Sequence, residues 1–247
     1  MPRDGPGQVG DALNRCSFMT TRWTAVVAAS RGDTGAVAAL ETLCRTYWYP
    51  LYAYARRRGY SPADAEDLTQ GFFERLLRLK SLADVKRGRG TFRSFLLASL
   101  NHYIADQWDR ASAGKRDVRK TLSLDALAAE TRFGQEPMDR QSPERVFERQ
   151  WAMALLETVV RRLCAEYDAA SKAPLFMALR FTIAGDRQAV AYEELSRQLG
   201  MSEPAIRVAA HRLRKRYREV LREEIAATVG GPDEVEAELR ALFAAVG

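Results

Sequence analysis

The 247-residue sequence predicts an all-α fold, in which two small helical domains are joined by a linker and followed by a C-terminal helix. Apolar residues recur every three to four positions along most of the chain, which is the period of an amphipathic helix. No alternation of apolar and polar residues bounded by turn residues persists, as strands would require. Three helix starts share a Ser N-cap with Pro in the first turn, where the missing N–H and fixed φ of Pro cost nothing. These starts are Ser61-Pro62, Ser142-Pro143 and Ser202-Glu203-Pro204.

Composition places the boundaries of the predicted domains. Residues 1–18 are rich in Gly, Pro and polar groups without periodicity, which predicts a disordered N-terminal tail. The first helical domain is expected at 19–120 and the second at 144–225. The segment 121–143 between them has the Gly, Pro, Asp and Gln content of a linker, in which we expect one short helix at Leu122–Ala129.

The C-terminal segment, 226–247, is predicted to form an acidic amphipathic helix. Its apolar residues fall on one stripe at helical spacing: Val235, Leu239, Leu242 and Phe243. We expect this stripe to pack back on the helix's own domain, and docking on a partner is the alternative.

The positive charge of the chain is concentrated in two segments. The whole sequence has a net charge of +6 and a pI of about 9.4. Residues 86–120 hold nine Lys or Arg against three Asp, and residues 201–222 hold seven against two Glu. The tail 223–247 holds six acids against one Arg. Two separate basic segments predict two contacts with a polyanion, although a basic helix face can also be a solvated surface.

Composition also disfavours several classes of protein. No stretch approaches the ~20 continuous apolar residues of a membrane span, and the N-terminus lacks the apolar run of a secretory signal. We therefore expect a cytoplasmic protein without membrane insertion. Three widely spaced cysteines favour buried or idle thiols over a disulfide framework or a zinc site. With two histidines and no HExxH, GxSxG or Gly-rich phosphate loop, the sequence predicts no enzyme, no cofactor and no metal site.

The segment 192–210 has the layout of a helix-turn-helix. Leu195 and Leu199 lie four apart on the first helix, and Gly200 suits the left-handed residue of the turn. Ser202 then caps the second helix. An inward apolar stripe is predicted on that second helix at Ile206, Ala209, Leu213, Tyr217 and Val220.

The opposite face of this second helix is basic. A helix fits the major groove of DNA, where its N-terminal residues reach base edges and its later cations meet phosphates. The candidate base readers are Glu203, Arg207 and His211. The candidate phosphate contacts are Arg212, Arg214, Lys215 and Arg218. Two-helix corners also occur in proteins that never bind DNA, but that alternative leaves the basic face unexplained.

A second pattern lies within residues 48–77 and is centred on Asp64-Ala65-Glu66-Asp67-Leu68-Thr69-Gln70, followed by Phe72-Phe73. Capping chemistry alone accounts for acids at the start of an amphipathic helix. The pattern also closely resembles region 2 of the sigma-70 family of RNA polymerase subunits, in which this helix grips the coiled-coil clamp of the largest polymerase subunit. The resemblance implies polymerase contacts at Asp64, Glu66, Asp67, Gln70 and Phe73. It implies that Leu68, Phe72 and also Phe73 mostly support the fold or the interface.

The stretch 92–110 adds a third pattern. It looks like the promoter-melting helix of the same family, which carries an Asn, an Asp five residues later and an Arg four beyond, here Asn101, Asp106 and Arg110. Unstacking a base costs about a few kcal/mol, which polar edges and aromatic platforms can offset. The candidate DNA contacts of this region are Arg93, Asn101, His102, Trp108, Arg110, Lys115 and Arg116. Tyr103 and Trp108 suit the core equally well, and Asp106 is better explained as the partner of a nearby Arg.

The three patterns together span about 20–225. Their order resembles a sigma factor of the compact extracytoplasmic-function group, a non-enzymatic subunit that directs polymerase to promoters and assists their opening. The implied partners are RNA polymerase core and promoter DNA, and an anti-sigma factor or another regulator is a further candidate. The turn Gly88-Arg89-Gly90 and the acidic tail are not general features of that group, so its usual membrane regulator is not inferred. The alternative is an ordinary helix-turn-helix regulator that binds duplex DNA without polymerase.

Overall fold

A computed structural model describes residues 34–78, 91–111, 124–135, 141–184 and 192–247. The predicted all-α class is confirmed, since these residues form nine α-helices and one 3₁₀ segment and contain no strand. The elements are α1 Thr34–Arg57, α2 Pro62–Arg78, α3 Phe92–Ala111, α4 Leu124–Gly134, α5 Pro143–Ala169, α6 Ala173–Leu179, the 3₁₀ segment Arg180–Ala184, α7 Tyr192–Leu199, α8 Glu203–Ala226 and α9 Pro232–Val246. The predicted tail 1–18 lies outside the described residues.

Ser side chains close two of the three predicted helix starts. At the start of α2, the Asp64 N–H donates to Ser61 Oγ at 3.2 Å, and the Ser61 hydroxyl donates to Asp64 Oδ2 at 2.7 Å. At the start of α5, the Arg145 N–H donates to Ser142 Oγ at 3.3 Å. These bonds satisfy N–H groups that have no acceptor within the helix.

The short helix predicted within 121–143 forms further along the chain than the expected Leu122–Ala129. α4 spans Leu124–Gly134 and packs against α1 and α2. Its C-terminal half is held by Glu130, which accepts hydrogen bonds from Tyr52 at 2.7 Å and from Arg56 at 2.8 Å. The segment with linker-like composition therefore contains a helix that packs against α1.

The chain divides into two compact units. One contains residues 1–154 together with 225–247, and the other contains 155–224. Fully buried large side chains of the first unit come from α1, α3 and α5, and include Tyr47, Leu51, Tyr52, Phe92 and Trp151. Those of the second unit come from α5, α6 and α8, and include Leu163, Phe176, Leu179, Ile206 and Leu213. Each unit thus has an apolar core of its own, as a domain requires.

The C-terminal helix α9 packs within the first unit and not on the second domain, where it was expected. Val235, Leu239 and Leu242 are buried as predicted, but Phe243 is 61% exposed, so its place on the inward stripe was wrong. The chain entering α9 is fixed to the start of α3, since the Phe92 N–H donates to the Thr228 carbonyl at 3.1 Å.

Candidate polymerase and nucleic-acid interfaces

One side of α2 carries an exposed acidic face. Asp64, Asp67 and Gln70 are exposed, and their spacing of three residues places them on one side of the helix. Glu66 and Phe73 are instead buried at 6% exposure each, so neither is open to a partner on this surface, contrary to the prediction. Glu66 accepts a hydrogen bond from Gln70 Nε2 at 3.1 Å and so supports the exposed face from within.

Arg93, at the start of α3, is not an open phosphate contact. Its guanidinium donates to both carboxylate oxygens of Glu238 at 2.7 and 3.1 Å and to Glu148 at 2.9 Å. It also lies 4.6 Å from the ring centroid of Trp151. Burial alone lowers the pKa of Arg93, but the bonds and charges of the two carboxylates outweigh that effect and leave the pKa raised. This prediction was wrong because the carboxylate that binds Arg93 most closely lies on α9.

Asn101, in the middle of α3, lines an open cleft of about 560 Å³. The other lining residues are Arg58, Tyr60, Ile104, Ala105 and Trp108. Trp108 is 71% exposed and His102 is also exposed, so both rings are surface groups, as a DNA-contacting role requires.

Arg58 and Tyr60 lie at this cleft although sequence reasoning did not select them. They flank the turn after α1, where Gly59 has a φ of +94° that other residues rarely adopt. The sequence signal that could have identified this position is the run Arg56-Arg57-Arg58, at the end of the helix that faces the predicted melting stretch.

Tyr103 and Asp106 serve the fold. The Tyr103 ring packs on Phe72 with 6.1 Å between centroids, and its hydroxyl lies so close to Gly71 that a Cβ at position 71 would require Tyr103 to shift. Asp106 accepts a hydrogen bond from Arg75 at 2.5 Å, which confirms the expected Arg partner. Three remaining candidates, the Arg110 side chain, Lys115 and Arg116, lie outside the described residues.

The helix-turn-helix forms as predicted from α7 and α8. Gly200 occupies the left-handed region with a φ of +61°, and the Met201 N–H donates to the Ser196 carbonyl at 3.2 Å. The predicted inward stripe of α8 is fully buried at Ile206, Leu213 and Val220, and half-buried at Ala209 and Tyr217. The stripe therefore fixes which side of α8 faces outward.

The outward side of α8 carries the predicted basic face. The exposed residues are Arg207, His211, Arg212, Arg214, Lys215 and Arg218. Arg207 is held at the start of this face, because its guanidinium lies 4.6 Å from the Tyr192 ring centroid and 3.5 Å from the carboxylate of Glu203. The three predicted base readers thus lie within the first nine residues of α8.

Arg216 points away from this face into an ion-pair network of the second unit. It donates to both oxygens of Glu166 at 2.9 Å and to Glu223 at 3.1 Å. Arg162 binds Glu223 and lies 3.3 Å from Glu224. The hydrogen bonds from Arg216 hold the pKa of Glu166 below its usual range. Arg216 is therefore bound to carboxylates within the second unit and does not contribute to the outward basic face.

Neither a metal site nor a membrane span is found in the described part of the chain. Its His, Cys, Asp and Glu side chains form no group of three or more that could hold a metal ion. Its helices include none that is both long and apolar enough to cross a membrane.

Comparison with known proteins gives a family-model match and a similar curated protein. The family model for sigma-70 region 2 matches residues 43–113, which include most of α1 and all of α2 and α3. The ECF RNA polymerase sigma factor SigE of Mycolicibacterium smegmatis is 27% identical over 198 residues, which cover 80% of this chain and 67% of that protein. No solved structure matches the chain significantly. Residues 43–113 are thus similar to region 2 of the sigma-70 family, and 80% of the chain is similar to a sigma factor of the extracytoplasmic-function group.

Proposed function

We propose that this protein is a sigma factor that directs RNA polymerase core to specific promoters and assists promoter opening. The proposal rests on the match of sigma-70 region 2 to residues 43–113, because this segment holds both the acidic face of α2 and the polar cleft of α3. A role in transcription initiation is the general function of this family, which is not a class of enzymes.

The acidic face of α2 is the proposed contact with polymerase core, at the clamp of the largest subunit. Asp64 and Asp67 are exposed carboxylates, and Gln70 adds an amide on the same side. Exposed carboxylates form charge-assisted hydrogen bonds with basic partner groups and accelerate encounter with a basic surface. This face therefore suits a basic partner and not DNA.

The cleft beside α3 is the proposed site for unpaired bases. Stacking a base on an aromatic side chain is worth about 1–3 kcal/mol, which is comparable with the cost of unstacking one base. Trp108 offers an exposed ring for stacking, and Asn101 offers hydrogen bonds to a base edge. Binding opened DNA in this way would stabilise the melted promoter relative to the duplex.

The basic face of α8 is the proposed reader of duplex DNA upstream. Glu203, Arg207 and His211 are placed to reach base edges, while the later cations are placed to meet phosphates. Phosphate contacts supply salt-dependent affinity without sequence information, so selectivity is assigned to the first nine residues of α8.

An ordinary helix-turn-helix regulator is the second candidate, because the second unit has its own core and carries the basic face by itself. Such a regulator would bind its duplex site unaided. A sigma factor should bind promoter DNA well only when it is assembled with core polymerase.

Run-off transcription with purified core polymerase and a promoter library tests the proposal. Specific initiation should require the protein, and core polymerase alone is the control. Absence of specific initiation across the library, together with tight binding of the free chain to duplex sites, would favour the ordinary regulator.

Promoter opening is tested with Trp108→Ala in the assembled holoenzyme. This variant should form fewer open complexes on duplex promoters but should transcribe normally from a template with a preformed bubble. Phe243→Ala is the matched control, because it removes an exposed aromatic ring from α9 in the same unit. If both variants form open complexes equally well, Trp108 does not belong to the proposed site.

A further inference from the structure

We propose that Tyr54 and Arg58 are positioning residues that fix the side-chain amide of Asn101, so that it offers only hydrogen-bond donors to an unpaired base. The inference rests on the proposed role of α3 in promoter opening. It adds a direction of selectivity: the cleft should prefer a base edge that presents acceptor atoms.

Arg58 determines which end of the Asn101 amide faces inward. Arg58 Nη1 lies 2.7 Å from Asn101 Oδ1. A guanidinium can only donate hydrogen bonds, so the amide atom that faces it must be the carbonyl oxygen. The Tyr54 hydroxyl donates to the same oxygen at 2.9 Å. These two donors fill both lone pairs of the carbonyl, and a flipped amide would place N–H groups against a cation.

The two positioning residues are themselves held in place. Tyr54 is 2% exposed, and its ring packs edge-on against Phe147 with 6.5 Å between centroids. Arg58 lies over the Tyr54 ring, 5.8 Å from its centroid. The Tyr54 hydroxyl also approaches Glu144, but at 3.5 Å that contact is weaker than the bond to Asn101. Tyr54 is therefore fixed by the packed part of the unit, and the exposed Arg58 is placed beside Asn101 by its contact with the Tyr54 ring.

The NH₂ group of Asn101 remains available to bind a ligand. Among the described residues, Asn101 Nδ2 has no hydrogen-bond partner. Asn101 lines the 560 Å³ cleft together with the exposed Trp108, and a cleft of this size is within the ~300–1,000 Å³ range of small-ligand sites. A base stacked on Trp108 would present its edge to a group that only donates.

The selectivity follows from this donor-only group. Ring nitrogens and carbonyl oxygens of bases accept hydrogen bonds, whereas the exocyclic amines of adenine and cytosine donate. A donor facing a donor leaves both unsatisfied, which costs affinity. The occupant is therefore an unpaired base that turns an acceptor atom towards Asn101.

The test uses holoenzyme assembled from core polymerase and the full chain. Fork-junction promoter DNAs carry each of the four bases in turn at every opened position, and their affinities are measured by fluorescence anisotropy. Asn101→Ala identifies the position at which base preference is lost. At that position, a deaza analogue that replaces the accepting ring nitrogen with C–H should bind wild-type holoenzyme about tenfold more weakly than its parent base. Asn101→Ala holoenzyme should not distinguish the two.

The double variant Tyr54→Phe/Arg58→Ala tests the positioning role. It should reduce the tenfold ratio between parent and deaza base to about twofold or less, because the amide is free to turn. Asn101→Asp, which presents acceptors in the same shape, should reverse the preference towards bases that present an amine. Arg57→Ala is the matched control, because it removes one positive charge from the adjacent position of α1.

The possible failures separate the two ideas. If Asn101→Ala leaves every base preference unchanged, the proposed role of Asn101 in opened DNA is wrong. If Asn101→Ala removes the preference but Tyr54→Phe/Arg58→Ala keeps the full ratio, the positioning inference is overturned and the role of Asn101 survives. A uniform loss of affinity without a change in the ratio would also overturn it, since that result indicates a purely structural role.

Discussion

Replacing Glu238 with Ala should destabilise the first unit more than replacing any other acidic residue of α9, because Glu238 is the buried one among them. Glu238 is 2% exposed and binds Arg93, whose side chain is 12% exposed. The substitution leaves a buried guanidinium with one remaining carboxylate, Glu148, which is 47% exposed. It also removes the ion pair between α9 and the start of α3.

The magnitude follows from what Arg93 loses. Removing one partner of a buried ion pair costs about 3–5 kcal/mol, because the other charge remains buried. Arg93 keeps the bond to Glu148 at 2.9 Å and the ring face of Trp151 at 4.6 Å, which favour the lower end, about 3 kcal/mol. For a unit of this size, that loss lowers the unfolding temperature by roughly 6–12 °C.

Thermal and urea unfolding, followed by circular dichroism, measure the effect. Glu236→Ala is the control, because it removes the same charge from an exposed position on α9. The double variant Arg93→Met/Glu238→Met should recover much of the loss, since apolar residues of similar volume can replace a buried pair. Equal unfolding temperatures for Glu238→Ala and Glu236→Ala would refute the reasoning.

Three further results are expected. Asp67→Arg should weaken binding to core polymerase at least tenfold in a titration without altering the circular dichroism of the free chain, and unchanged affinity would remove α2 from the interface. Arg207→Ala should cost about 1–3 kcal/mol and relax selectivity at one upstream position, unlike the control Arg197→Ala; a uniform loss across sequences would make Arg207 a phosphate contact. The hydrogen bonds from Arg56 lower the pKa of Glu130 from its ordinary 4.5, so its stabilising effect is present above that pH and is lost as the pH falls through the lowered value. Glu130→Gln should therefore reduce the loss of unfolding free energy that accompanies acidification. If the pH dependence of stability at acidic pH is unchanged, Glu130 does not contribute to it.

Local chemistry explains which parts of the fold could be predicted from the sequence. Helix period, Ser N-caps and the left-handed Gly200 depend on residues within about one turn of each other. The inward stripe of α8 follows from the same period, and its burial at Leu213 and Val220 confirms it. A pattern of this kind can be recognised without knowing which element packs against the helix.

Pairings between distant segments explain what could not be predicted. Arg93 and Glu238 are 145 residues apart, and each belongs to a run of like charge that reads as a solvated or DNA-binding face. Glu66 lies among exposed acids in the sequence but turns inward on α2. The sequence shows the period of a helix, whereas the partner that covers a given side chain depends on tertiary packing.

This distinction changes how the two basic segments are interpreted. Charge counts alone assign every cation of 86–120 and 201–222 equally to a polyanion, but Arg93 and Arg216 are both committed to carboxylates within their own units. The cations of α8 that remain outward form a continuous exposed face, which suits the regularly spaced phosphates of a duplex. The described part of the first segment instead presents an amide and an exposed ring beside a cleft, which suits individual bases and not a backbone. The two segments therefore suit different forms of DNA, as the proposed sequence of promoter recognition and promoter opening would require.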